Sequence, residues 1–143
     1  MVSKTLFSSA SDEWATPQAL FDELNAEFRF VFDAAATSSN AKCIYHCDDS
    51  LDMNWHIYMG AVWLNPPYSK IKEFAKKAYE ESLKGATVVM LIPARTDTRY
   101  FHDWIYHKAE LRFIKGRLKF GDAKNSAPFP SMLCIYRGVK EHA

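Results

Sequence analysis

The chain has 143 residues, 48% hydrophobic and 24% charged, a composition that excludes disordered and fibrous proteins and gives length for one core but not two. A formal net charge of +1 excludes binding to a polyanion through overall charge alone. No apolar run approaches the ~20 residues of a bilayer span, and the first residues carry no apolar signal core, so the expectation is one soluble, cytoplasmic domain over residues 1–143 with no membrane partner. Three cysteines, an odd number without a secretion signal, fit reduced thiols better than disulfides.

Residues 1–13 are polar and read as a mobile N-terminal segment. Thr16-Pro17 then opens a helix, with Thr16 suited to the N-cap, Pro17 to the first helical position, and Leu20, Phe21, Leu24 and Phe28 on one face. Phe30-Val31-Phe32 reads as a buried strand with Asp33 at its carboxyl end. Small residues follow from Ala34 to Ser39, then a short strand at Cys43 to His46. Ala61 to Leu64 is another buried strand, and Lys70 to Leu83 an amphipathic helix stopped by Gly85. Thr87 to Ile92 reads as the central strand, ended by Pro93. Asp97 to His107 has helical spacing with Phe101, Trp104 and Ile105 inward, and Leu111 to Ile114 is a strand. A turn-rich stretch from Gly121 to Pro130 leads to a last strand at Met132 to Tyr136. Strands alternating with helices imply an α/β fold: a mostly parallel sheet with helices on both faces, with room for an antiparallel hairpin at the end.

In open α/β sheets ligands bind beyond the carboxyl ends of the strands. Asp33, Asn65 and the Pro93-Ala94-Arg95 segment all fall there. The most informative string is Asn65-Pro66-Pro67-Tyr68, directly after a strand. Two prolines supply carbonyls without N–H groups, and Pro66 pushes Asn65 away from helical angles. Asn65 adds a side-chain carbonyl oxygen, and Tyr68 a flat ring with a polar tip. Such a corner accepts both N–H bonds of a planar amino group. Held that way, a nitrogen whose lone pair is delocalised into a ring is drawn toward tetrahedral geometry and can attack an electrophile without a strong base.

Charge is unevenly distributed. Residues 1–69 hold three Lys/Arg against nine Asp/Glu, a balance of −6, and residues 70–143 hold fifteen against eight, a balance of +7. The basic half suits phosphates and the acidic half a cationic or hydroxyl-rich cofactor. Part of the excess is solvated helix surface, since Lys70, Lys72, Lys76 and Lys77 alternate with Glu73, Glu80 and Glu81. Cys43, His46, Cys47 and His56 match no common zinc-finger spacing, and Asp48, Asp49 and Asp52 read as capping or solvated acids, so no metal is expected.

Taken together, several ordered segments resemble the phage-type DNA N6-adenine methyltransferases that use S-adenosylmethionine. They are Trp14-Ala15-Thr16-Pro17, Phe32-Asp33-Ala34-Ala35-Ala36-Thr37, Asn40-Ala41-Lys42-Cys43, Asp49-Ser50-Leu51, Trp63 to Ser69, Leu91 to Thr98 and Gly116 to Phe120, covering most of the chain. The resemblance implies a Rossmann-like methyltransferase domain acting on DNA, in the host cytoplasm if phage-encoded, as part of DNA methylation of the restriction-modification kind. Asn65 and Pro66 would bind the target amino group, and Tyr68 would stack on a flipped base. Asp33, Ala34 and Ala35 would lie against the methionine part of the cofactor and Asp49 against its adenosine, with Trp14, Thr16 and Pro17 closing the site. Read from the residues themselves, Arg95 and Arg99 fit either DNA phosphates or the surface of their own helix, and Arg117 and Lys119, beside the polar loop, suit phosphate contacts.

The same corner would serve an RNA base or a protein glutamine, and a catalytically silent DNA-binding relative is a further alternative. One departure from the general methyltransferase pattern is plain: no glycine occurs between Asp33 and Gly60, so the usual Gly-rich turn is made of alanine, threonine and serine. The short segment from Asp49 to Asn65 leaves no room for a large recognition insert. Sequence specificity would come from loops such as Gly121 to Pro130 or from a partner subunit.

Overall fold

The computed structural model describes residues 15–120 and 126–139. Six strands form one sheet in the order β2-β1-β3-β4-β6-β5: β1 is Phe30–Asp33, β2 Tyr45–His46, β3 Ala61–Leu64, β4 Val88–Pro93, β5 Glu110–Phe113 and β6 Ser131–Tyr136. The pairs β1–β2, β1–β3 and β3–β4 are parallel. β6 lies antiparallel between β4 and β5. The expected antiparallel C-terminal hairpin is therefore present: β5 and β6 pair at the edge of the sheet, with β6 on the inner side against β4.

Every residue of β3, β4 and β6 is buried, and alternation along them divides the interior in two. Val62, Leu64, Val88, Met90, Ile92, Met132, Cys134 and Tyr136 face helices α2 (Ile71–Leu83) and α3 (Arg99–Trp104). Trp63, Val89, Leu91, Leu133 and Ile135 face α1 (Gln18–Phe28) and the side chains of Phe120, Ala127 and Phe129. Both faces are covered, as buried parallel strands require. Among the described residues no helix is long and apolar enough to cross a membrane.

Helix α1 buries Phe21 and Leu24 and ends where the Asn25 side chain accepts the Phe30 N–H at 2.8 Å. Its start corrects the sequence reading. Pro17, not Thr16, holds the capping position and no side chain caps the helix; the Pro17 carbonyl accepts the Phe21 N–H at 3.1 Å. Helix α3 covers six residues instead of the stretch from Asp97 to His107, because the chain turns after Trp104 and His107 adopts a left-handed conformation at φ 65°.

Glu81, grouped in the sequence with solvated helix charges, is 0% exposed. Its Oε1 accepts the Trp55 N–H at 2.6 Å, the His56 N–H at 3.0 Å and His56 Nδ1–H at 2.9 Å, and Oε2 lies 3.4 Å from Lys77 Nζ and 3.3 Å from Lys84 Nζ. This carboxylate pins the 3-10 turn Trp55–Tyr58 to α2 ahead of β3. Burial raises its pKa, but the His56 side chain, the backbone N–H groups and Lys77 outweigh it and hold the group at about 2. A depressed folded-state pKa gives stability that is present above the ordinary value of 4.5 and lost as pH falls toward about 2. Urea unfolding followed by tryptophan fluorescence is expected to show ~3 kcal/mol lost from this group across that window. Glu81→Gln should flatten that part of the profile.

Candidate active site

Strands β1 and β3 are neighbours, with Asp33 in register with Trp63, so their carboxyl ends bring Asp33 and Asn65 to the same margin of the sheet. A cleft opens there, lined by Ala15, Thr16, Asp33, Ala35, Ala36, Thr37, Asn40, Lys42, Asp48, Trp63, Asn65 and Pro67. It is open to solvent, with about 40 Å³ of its interior accessible to water.

Asp33 organises the turn that forms one wall. It is 2% exposed, and its carboxylate accepts the Lys42 N–H at 2.9 Å and the Ala35 N–H at 3.4 Å. Burial lifts its pKa above the usual carboxylate value, and the two N–H bonds with the electrostatics of His46 and Lys42 only partly oppose the rise. Ala34 N–H donates to the Trp63 carbonyl at 3.0 Å and Ala36 N–H to the Cys47 carbonyl at 3.0 Å. The Ser50 hydroxyl donates to the Ala34 carbonyl. Asn40 Oδ1 accepts the Thr37 N–H at 2.8 Å. Among the described residues positive φ occurs at Arg29, Met59, Gly85, His107 and Gly116, none of them in this turn. Alanine, threonine and serine therefore serve where a glycine-rich turn would need left-handed angles. The neighbouring Cys43 thiol is pushed up to about 12 by burial and then by the Asp33 charge, which removes it as a nucleophile.

The opposite wall is the segment after β3. Asn65 Nδ2 donates to Thr16 Oγ1 at 3.0 Å, and Thr16 is itself 5% exposed. The hydrogen bond of the following 3-10 turn (Tyr68–Lys70) runs from the Lys70 N–H to the Pro67 carbonyl at 2.9 Å, so that turn does not consume the carbonyl of the buried Pro66. Tyr68 is half-buried, its ring edge-on to Phe129 with centroids 5.5 Å apart. Burial raises its phenol pKa, and the nearby Arg95 charge only partly offsets this. Tyr68 is thus a neutral aromatic residue that follows the cleft-lining Asn65 and Pro67, and neither it nor Pro66 is itself among the lining residues.

The other residues singled out in the sequence divide by position. Ala35 lines the cleft, whereas Ala34 is 0% exposed and built into the core. Pro17 sits at the start of α1 outside the lining, and Asp49 is exposed beside Asp48, the acid that lines the cleft. Trp14 lies outside the described residues, as do 121–125 of the Gly121 to Pro130 stretch. Arg95, Arg99, Arg117 and Lys119 are exposed. The Arg95 charge acts on Tyr68, whose ring meets that of Phe129, and Phe129 packs on Phe120 with centroids 6.1 Å apart. Thr37, Asn40 and Lys42 are cleft residues that the sequence reading did not single out as site residues. Their signal was local: Asn40 closes a short side-chain turn onto Thr37.

A mixed sheet of this order with a cleft at the carboxyl ends of β1 and β3 defines a Rossmann-like methyltransferase fold. Residues 3–143 match the model of the family described as DNA N-6-adenine-methyltransferase (Dam), and the chain belongs to that family. Two similar proteins carry the name DNA N-6-adenine-methyltransferase. One, from Escherichia phage T1, is 33% identical over 110 residues, covering 75% of this chain and 46% of its own length. The other, from Haemophilus phage HP1 (strain HP1c1), is 29% identical over 140 residues, covering 90% of this chain and 80% of its own. The chain thus spans less than half of the T1 protein.

Because the folded-state pKa of Asp33 is raised, its ionised form is a burden at neutral pH that is relieved as pH falls through the folded value. Asp33→Asn keeps one acceptor for the Lys42 N–H and is expected to change unfolding free energy by less than about 1 kcal/mol. Asp33→Ala leaves that N–H without its partner and should cost about 2 kcal/mol. Equilibrium urea denaturation of the two variants measures both.

Proposed function

We propose that this chain transfers the methyl group of S-adenosylmethionine to the N6 amino group of adenine in DNA. The observation that carries the reading is the placement of Asn65, in a chain of this family, at the carboxyl end of β3, its amide tied to Thr16 beside a cleft walled by the Asp33 turn.

The cleft suits the donor. Two carboxylates, Asp33 and Asp48, and one lysine, Lys42, stand among its lining residues, giving an acidic surround for a cationic ligand. Lys42 Nζ is itself engaged by Gln18 Oε1 at 2.7 Å. The small residues Ala35 and Ala36 let a ligand approach the backbone closely. When bound, S-adenosylmethionine would supply a methyl carbon made electrophilic by the attached sulfonium, whose sulfur keeps the electron pair of the broken C–S bond and leaves as a neutral thioether.

In this reading Asn65 Oδ1 and the Pro66 carbonyl accept the two N–H bonds of a flipped adenine, and Tyr68 stacks on its ring. The acceptors localise the nitrogen lone pair and stabilise the positive charge that develops as the C–N bond forms. The proton then leaves to solvent. Exposed Arg95, Arg99, Arg117 and Lys119 hold phosphates.

The direct test is incubation of the protein with methyl-labelled S-adenosylmethionine and separate DNA, RNA and protein pools, with mass spectrometry of the products. Label in N6-methyladenine of DNA is expected. Label confined to RNA or to glutamine would replace the substrate, and DNA binding without any transfer would reveal a silent relative. Asn65→Ala is expected to bind the donor in calorimetry while single-turnover methylation falls roughly 10²-fold or more; unchanged turnover would remove Asn65 from the chemistry. Arg117→Ala and Lys119→Ala should each lower the slope of log binding constant against log salt by about 0.9 on duplex DNA, measured by fluorescence anisotropy.

A further inference from the structure

We infer that Thr16 is a positioning residue for Asn65: its buried hydroxyl holds the side-chain amide so that the oxygen faces the target amino group. The inference rests on the function proposed above. An asparagine amide is nearly symmetrical in shape, but one half accepts two hydrogen bonds and the other donates two. Rotated by half a turn, Asn65 would set N–H groups against the N–H groups of a target and the grip would become a repulsion.

Thr16 Oγ1 lies 3.0 Å from Asn65 Nδ2 although 49 residues separate the two in sequence. A hydroxyl can serve either half of the amide, whereas an incoming NH2 brings only donors to this corner. The arrangement that satisfies both neighbours at once has Nδ2 on Thr16 and Oδ1 on the target.

The segment that carries Thr16 also reaches the opposite wall. Two residues on, Gln18 Oε1 accepts Lys42 Nζ at 2.7 Å, and the Lys42 N–H is held by Asp33 at 2.9 Å. Residues 16–18 therefore tie the wall that faces the target to the wall that faces the donor. That arrangement also accounts for a threonine before a proline at a helix start where the hydroxyl caps nothing.

The test compares Thr16→Val, which keeps the branched shape without the hydroxyl, with Thr16→Ser, which keeps the hydroxyl, in the full chain. For valine, kcat on DNA is expected to fall about 10- to 100-fold, while KM for DNA and the calorimetric Kd for S-adenosylmethionine stay within about threefold. Serine should restore most of the lost turnover. In an Asn65→Ala background, valine should lower kcat no further, since the two side chains act as one unit.

A valine variant that turns over like the parent overturns the inference, as does one that loses donor affinity with kcat intact, which would make Thr16 a ligand contact. Additive losses in the Asn65→Ala background overturn it too. If valine proves too unstable to assay, Thr16→Ala with Thr16→Ser is read by the same criteria. A parent protein that makes no N6-methyladenine brings down the functional reading itself, whereas an active parent with an indifferent Thr16→Val brings down this inference alone.

Discussion

Strands β3, β4 and β6 are buried along their whole length, and that constraint determines where chemistry is possible in this protein. A polar side chain on a strand covered on both faces is costly without a partner, and among the described residues the buried Ser131 hydroxyl at the start of β6 has none. Polar groups are therefore displaced to the points where strands end: Asp33 at the end of β1, Asn65 after β3, Arg95 after β4. Because β1 and β3 run side by side in parallel, two of those ends meet. The cleft is a consequence of the sheet, and the side chains around it specialise a place the topology already provides.

Each side chain at that margin then needs a partner of its own. Asp33 folds its turn inward through the backbone of Lys42 and Ala35, and Asn65 leans on Thr16. The same logic operates at the far end of the sheet, where Glu81 gathers two backbone N–H groups and the His56 ring before β3 begins. Buried charge in this protein is met by several hydrogen bonds at once, which is the condition under which it can be tolerated.

How much of this was legible in the sequence follows from which interactions are local. The apolar runs at Ala61 to Leu64 and Thr87 to Ile92 read directly as buried strands, and Asn65-Pro66-Pro67-Tyr68 marked the end of one of them that borders the cleft. The turn after Asp33 was legible as small residues, though its freedom from positive φ was not. The antiparallel pairing of the last two strands was legible, but that β6 and not β5 lies against β4 was hidden, since hydrophobic alternation leaves no trace of it. Glu81 was misread because its lysine neighbours at helical spacing look like a solvated face. Thr16 was read as a cap for the same kind of reason: a threonine before a proline at a helix start fits a local rule, and only the distant Asn65 overrides it.

The position of β6 also shapes how the molecule is made. Until residues 131–136 leave the ribosome, β4 and β5 each have a row of backbone groups with nothing to bond, facing the place one strand in from the edge of what will become the finished sheet. The nascent chain can assemble β1, β3 and β4 through parallel crossovers, but β5 has no partner to dock against. Synthesis of the last strand is what welds the two parts together, so the interval before it emerges is when this sequence is most open to wrong pairing with another chain.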